Sequence, residues 1–257
     1  MNIQYVTISG ADDTTNIRWM QAISHRFPFV EWGILASNKR GDRVSRYPSL
    51  NWLMELYKQQ QRDPINLSFH ICGEWVREIC RGNWTPIFSN NYRIPNGFQR
   101  VQLNIGAHTD LISGRFVSEA SQRAAENKWS LIFQVGDNMD AFNDVRKSGL
   151  DIVPLFDMSR GRGKTPKQWP TQPEGIECGY AGGLGPVNIM FELDRIREVA
   201  NGPIWIDMES GVRTNDGKKL DAAAVEKVLN SIELNLGNVI SRLGEKVAPI
   251  TNETEEE

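Results

Sequence analysis

The residues best placed to do chemistry are an aspartate and three stretches rich in glycine. Asp157 closes the run Leu155-Phe156-Asp157 and is followed by Ser159-Arg160-Gly161-Arg162-Gly163-Lys164-Thr165. Further along stand Ala181-Gly182-Gly183-Leu184-Gly185-Pro186 and Glu209-Ser210-Gly211-Val212-Arg213. A glycine lets backbone approach a ligand closely, and a loop that opens a helix offers N–H groups to an anion. Together the three stretches suit a phosphate group, with Gly161, Gly163, Lys164, Gly182, Gly183, Ser210 and Gly211 as candidate contacts. One such loop alone would be read as a tight turn. The stretch from Gly161 to Thr165 lacks the G-x-x-x-x-G-K spacing of a P-loop, which argues against an NTPase.

These stretches can act together only if the fold brings them to one rim. Short apolar runs alternate with helical patterns along the chain, the signature of repeated βα units around a parallel sheet. The predicted strands are Ile3 to Ile8, Phe29 to Ala36, Leu67 to Cys72, Val101 to Ile105, Leu131 to Val135, Leu150 to Phe156, Ile176 to Tyr180 and Pro203 to Met208. That number closes a (β/α)8 TIM barrel, an α/β fold in which functional residues gather at the C-terminal strand ends. The glycine stretches, Asp157, and Ser9-Gly10-Ala11-Asp12-Asp13 all follow such ends. Ser49 is a good N-cap, and Leu50, Leu53, Met54 and Tyr57 after it predict a helix face turned to the barrel. Asp221 opens a second clear helix with Val225, Val228, Leu229 and Ile232 inward and Glu226 and Lys227 toward water. The first helix is expected to start near Asp13 or Thr14, with Ile17 and Met20 inward. No linker divides the chain, so one barrel domain is expected over 1–245, with an acidic, disordered tail over 246–257. The loop-like segment 81–98 could be a lid or a surface decoration, and decoration is the preferred reading.

Hydrophobic residues make up 40% and charged residues 24% of the 257, enough for a sizeable core and against wholesale disorder. Glu253, Glu255, Glu256 and Glu257 more than account for the formal net charge of -3, so the body is nearly neutral. A nucleic-acid polymer is therefore not an expected partner, since such binders carry a basic stripe. Met1-Asn2-Ile3-Gln4-Tyr5 lacks a signal peptide's basic start, and no apolar stretch approaches a membrane span. A soluble cytoplasmic protein without a membrane partner is expected. Cys72, Cys80 and Cys178 are too scattered for a disulfide framework or a zinc site and read as reduced, buried thiols. With no metal-ligand constellation, no metal and no cofactor are expected, and the oligomeric state stays open.

Several motifs, in order and in register with the strands, carry a family resemblance. They are Thr7-Ile8-Ser9-Gly10, Arg46-Tyr47-Pro48-Ser49, Val101-Gln102-Leu103-Asn104, Leu155-Phe156-Asp157 with Gly161-Arg162-Gly163-Lys164-Thr165, Gly182 to Ile189, and Asp207-Met208-Glu209-Ser210-Gly211-Val212. Over nearly all of residues 3 to 235 the chain resembles phosphoribosylanthranilate isomerase, a barrel enzyme of tryptophan biosynthesis. The resemblance implies a phosphorylated small-molecule ligand and an Amadori rearrangement of an aminoaldose phosphate to an aminoketose phosphate. In that family a cysteine is the general base and an aspartate the general acid. Asp157 matches the acid, and Arg46 matches a residue that clamps a carboxylate.

The departures bear on the chemistry. Ser9 stands where the family has its cysteine, and an unassisted hydroxyl is a poor proton acceptor beside a thiolate accessible from a pKa of about 8.5. A serine would need an activating partner, which the sequence does not show. Asn104 replaces a histidine, Glu209 replaces a serine, and Arg213 replaces an acidic residue. Glu209 could be a new base or could pair with Arg213, and pairing is preferred. Lys39, Arg40 and Arg43 lengthen the interval from Ser37 to Ser49, so the ligand's second half is expected to differ. Asp12 and Asp13 are read as helix caps, His25 as a helix end, His108 as a turn residue and His70 as a core histidine. Two functions of different class stay open. One is an enzyme with Asp157 as acid, Ser9 as polar or nucleophilic partner and Glu209 as base. The other is a binding protein that sequesters the phosphorylated ligand, while a purely structural barrel would leave the glycine loops unexplained.

Overall fold

The computed structural model describes residues 1–38, 46–88, 97–105, 112–136, 139–159 and 163–244, with side chains described as far as residue 235. Its strands are β1 (Asn2–Ser9), β2 (Val30–Ala36), β3 (Leu67–Ile71), β4 (Arg100–Leu103), β5 (Ser130–Val135), β6 (Ile152–Asp157), β7 (Cys178–Ala181) and β8 (Pro203–Met208). They pair in parallel in chain order, and β8 closes onto β1. The helices are α1 (Ile17–Arg26), α2 (Leu50–Gln60), α3 (Glu74–Cys80), α4 (Thr85–Phe88), α5 (Gly114–Asn127), α6 (Asp140–Lys147), α7 (Ile189–Arg197) and α8 (Ala222–Gly244). The expected (β/α)8 barrel is observed, each strand within about two residues of its predicted bounds. No described helix is long and apolar enough to cross a membrane.

Alternation along the strands divides the interior in two. Outward side chains such as Val6, Ile8, Trp32, Ile34, Phe69 and Ile206 form the large core beneath the helices. Within the barrel a small apolar cluster of Ile132, Leu155, Ala181 and Trp205 shares the space with buried polar residues. Toward the floor Arg100 Nη1 meets Glu31 Oε1 at 3.1 Å, and Thr7 Oγ1 donates to the same oxygen at 2.7 Å. The Arg100 guanidinium also lies 4.2 Å from the Trp205 ring centroid. A buried ion pair held by a hydroxyl and an aromatic face plugs the barrel below the site.

Several local expectations are corrected. In α2 the buried face is Trp52, Leu53, Leu56 and Gln60, whereas Leu50 is 37% and Met54 54% exposed. Trp52 buries more area than Met54, and its indole N–H donates to Thr15 O at 3.0 Å, so it sets the helix rotation. The cap of α1 is Asn16, whose Oδ1 accepts from Arg18 and Trp19, and the helix starts at Ile17. Ser49 and Asp221 do cap α2 and α8, and Val225, Val228, Leu229 and Ile232 are buried. Within 81–98 the chain forms the short helix α4, opened by Asn83 Oδ1 accepting from Thr85 N; residues 89–96 lie outside the described residues. Between β6 and β7 the described residues 163–177 contain no helix, contrary to the regular alternation expected. Pro166, Pro170 and Pro173 disfavour one there. Buried Trp169 donates to Glu192 Oε2 at 2.9 Å, and Gln172 binds the backbone of residues 201 and 202, docking the segment instead. The acidic tail, Lys39, Arg40, Arg43 and His108 lie outside the described residues.

Candidate functional site

A cavity of about 700 Å3 opens at the C-terminal end of the barrel. Ser9, Arg46, Asn104, Asp157, Gly163, Gly182, Gly183, Glu209, Ser210, Gly211 and Arg213 all line it. Eleven candidates scattered over two hundred positions therefore meet at one place. Lys164 is exposed and does not line the cavity, and Gly161 lies outside the described residues.

The loops after β6, β7 and β8 are packed against one another through their backbones. A Cβ on Gly183, whose φ is +65°, would strike Thr165 N, and one on Gly211 would strike Leu184 O. Side chains would therefore force these loops apart. Asn188 braces the loop after β7, its Nδ2 donating to Gly183 O at 2.9 Å while its Oδ1 accepts from Gly185 N at 3.0 Å, and its Nδ2 also lies 3.4 Å from Thr165 Oγ1 of the loop after β6. The amides of Gly182, Gly183 and Ser210 have no hydrogen-bond partner among the described residues. Gly163 N, by contrast, donates to Ser159 Oγ at 3.1 Å.

Asp157 is held by its neighbours. Gln134 Nε2 donates to Oδ2 at 2.7 Å, and Ser159 donates to Oδ1 from both N and Oγ, at 3.0 and 2.7 Å. On the fourth strand's edge Asn104 Oδ1 accepts from Gln102 Nε2 at 2.8 Å, and its Nδ2 lies 3.0 Å from Cys72 Sγ. Gln102 Oε1 is buried without a partner among the described residues, leaving an acceptor at the cavity wall. Cys72 does not line the cavity, and burial pushes its thiol up to about 12.

The charged pairs differ from expectation. Glu209 Oε1 accepts from Arg46 Nη1 at 2.9 Å, so Glu209 pairs with Arg46 and not with Arg213. Arg213 turns to Gly10 O at 2.8 Å and to Asp12 Oδ2 at 3.4 Å. Asp12 is consequently no helix cap. It accepts from Arg46 N at 2.6 Å and from Thr14, and so holds Arg46 in its left-handed conformation at φ 81°. Asp13 accepts from Ser49 N at 2.7 Å, tying the first loop to α2. In both cases the carboxylate satisfies donors distant in sequence, which local capping patterns cannot reveal.

Ser9 does have a partner. Its Oγ donates to Asp207 Oδ1 at 2.7 Å and lies 3.5 Å from His70 Nδ1. His70 Nε2 in turn lies 2.8 Å from Ser68 Oγ. His70 is a satisfied interior histidine, as read from the sequence, yet it also lines the cavity. Burial lowers it to about 3, with Arg100 adding to the effect, so the ring is neutral. Burial raises Asp207 to about 7; the Ser9 hydrogen bond opposes this, and Glu209, Asp157 and Glu31 reinforce it. Sequence reasoning assigned Asp207 no role, although it alternates with Trp205 on β8 and so shares that residue's inward face.

Residues 115–231 match the N-(5'-phosphoribosyl)anthranilate (PRA) isomerase family. Among solved structures, phosphoribosylanthranilate isomerase from Thermococcus kodakaraensis is similar at 16% identity and a TM-score of 0.51, over 90% of this chain and 99% of that one. The same enzyme from Thermotoga maritima is similar at 17% identity and a TM-score of 0.50, over 89% and 97%. Phospho-2-dehydro-3-deoxyheptonate aldolase from Thermotoga maritima is similar at 10% identity and a TM-score of 0.53, over 92% and 70%. At these identities the likenesses show the fold. No curated protein matches the sequence.

Proposed function

From a barrel whose residues 115–231 carry the PRA isomerase family match, we propose an isomerase-like site for a small phosphorylated sugar or nucleotide-like ligand. The observation that carries this reading is the convergence of Gly163, Gly182, Gly183, Ser210, Gly211 and Asp157 on one cavity. Backbone amides without internal partners suit a tetrahedral oxyanion, which needs several donors at once. With the phosphate seated on the late loops, Asp157 is the acid for ring opening of an aminoaldose phosphate, oriented by Gln134 and Ser159. Gln102 Oε1 offers an acceptor to a ligand hydroxyl or N–H.

One observation favours a second reading, capture without turnover. Glu209 occupies the Arg46 guanidinium that a ligand carboxylate would otherwise take, so a carboxylated ligand has to displace an internal one. Incubation with phosphoribosylanthranilate separates the two. Turnover that disappears in Asp157→Asn supports the isomerase, and tight binding without turnover supports capture. Absence of any binding, with inorganic phosphate also failing to bind, defeats both.

A further inference from the structure

Asp207 is a buried carboxylate at the cavity wall, and the reading above leaves it without a task. The sheet register places it level with Asp157, since Asp157 pairs with Ala181 and Ala181 with Asp207. Two strand spacings set their Cα atoms roughly 10 Å apart, with Ala181 on the strand between them. All three residues line the cavity. A ligand lying across Ala181 would meet one carboxylate at each end of a short carbon segment.

The hydrogen bonds around Asp207 run in one direction. The neutral His70 ring can hold one proton, and placing it on Nδ1 lets every contact be made. Ser68 Oγ then donates to His70 Nε2, His70 Nδ1 faces Ser9 Oγ, and Ser9 Oγ donates to Asp207 Oδ1. The approach of Ser9 to His70 needs Gly33, where any Cβ would overlap both side chains. Asp207 Oδ2 is left 4.0 Å from His70 Nδ1. Resting on the isomerase reading, we infer that Asp207 is the proton acceptor of this site, positioned by Ser9, in the role the resembling family gives to a cysteine.

The step balances. Asp157 gives its proton to the ring oxygen as the C1–O bond of the aminoaldose phosphate breaks, leaving a C1=N iminium. Asp207 takes the hydrogen from C2; the C–H electron pair becomes the C1=C2 bond, and the C=N pair returns to nitrogen. Asp207 then returns that proton to C1 while the C2 hydroxyl proton passes to Asp157, giving the aminoketose with both carboxyls restored. An acceptor that must also give the proton back works best near neutrality. Burial brings Asp207 to about 7, in the field of Glu209 just after β8, Asp157 on β6 and Glu31 on β2 and against the pull of Ser9 on β1. His70 on β3 is neutral at that pH.

The test uses the full chain and an N-aryl 1-amino-1-deoxyribulose 5-phosphate, the aminoketose side of the rearrangement, in D2O. Deuterium entry at C1, followed by NMR, reads the acceptor step apart from net turnover. The expected result is exchange with an acidic limb near pH 7, lowered about 100-fold or more in Asp207→Asn with the Kd of the probe kept. Ser9→Ala lowers exchange about tenfold and moves the limb upward, because the bond that favours the ionised carboxylate is gone. Undiminished exchange in Asp207→Asn, exchange lost in Asp157→Asn alone, or probe binding without exchange in the parent each overturns the assignment and leaves the ligand reading standing. A probe that does not bind the parent at all overturns the ligand reading, and this inference falls with it.

Discussion

Two aspartates stand in one register row at the mouth of the barrel, and their hydrogen-bond partners differ. Asp157 accepts hydrogen bonds from Gln134 and, twice, from Ser159 just beyond its own strand. Asp207 accepts one, from Ser9, and is otherwise walled by a neutral histidine and by acidic neighbours. Both are buried, each 7% exposed, so the first is set apart by its several donors and the second by having one donor and a carboxyl raised by burial among acidic groups. The difference teaches that residue type and strand position do not set a role, because hydrogen-bond partners separate two equally buried groups.

The largest effect that can break this contrast is on chemistry at the oriented carboxylate. Asp157→Asn is expected to lower turnover of phosphoribosylanthranilate by roughly 10²–10⁴-fold with the Kd little changed; single-turnover kinetics with a binding titration checks it, and unchanged turnover removes Asp157 as the acid. Next comes the support of the first loop. Asp12→Ala leaves Arg213, whose side chain is 5% exposed, without its carboxylate and is expected to destabilise the fold by about 3 kcal/mol, read from urea unfolding.

The dehydrated carboxylate predicts a gain of stability when removed. Its folded pKa is raised, so its contribution is fully present below the unfolded value near 3.8 and is lost as pH rises through about 7. Asp207→Asn should therefore match the parent near pH 4 and exceed it at pH 8 by on the order of 2 kcal/mol, less than the full shift because the amide must also be buried. Equal unfolding midpoints at pH 8 would remove the raised Asp207 carboxyl from the contrast. The smallest effect sharpens the other half. Ser159→Ala deletes one donor to Asp157 and the acceptor of Gly163 N, and is expected to cost about 1 kcal/mol in transition-state stabilisation, seen in kcat/KM.

How much of this was legible beforehand depends on the range of the interaction. The strand pattern, the caps Ser49 and Asp221 and the α8 stripe are local, so periodicity and side-chain chemistry sufficed to place them. The glycine loops were legible as loops, and the barrel rule sent them to one rim. The α2 rotation was misread because a hydrogen bond from Trp52 to Thr15 on a distant loop outweighs the apolar spacing. Glu209 was paired with the wrong arginine for a related reason. Arg46 is 163 positions away and reaches it only because Asp12 pins the turn that carries it.

The sequence by itself determined the alternating elements, the number of strands and the identity of the polar groups at the strand ends, since each rests on spacing within one segment. Only the tertiary structure decided which of those groups share a proton environment. Ser9 and Asp207 are 198 residues apart, and closure of β8 onto β1 makes them partners while stripping water from the carboxylate. Desolvation and pairing belong to the space between strands, and no single strand encodes them.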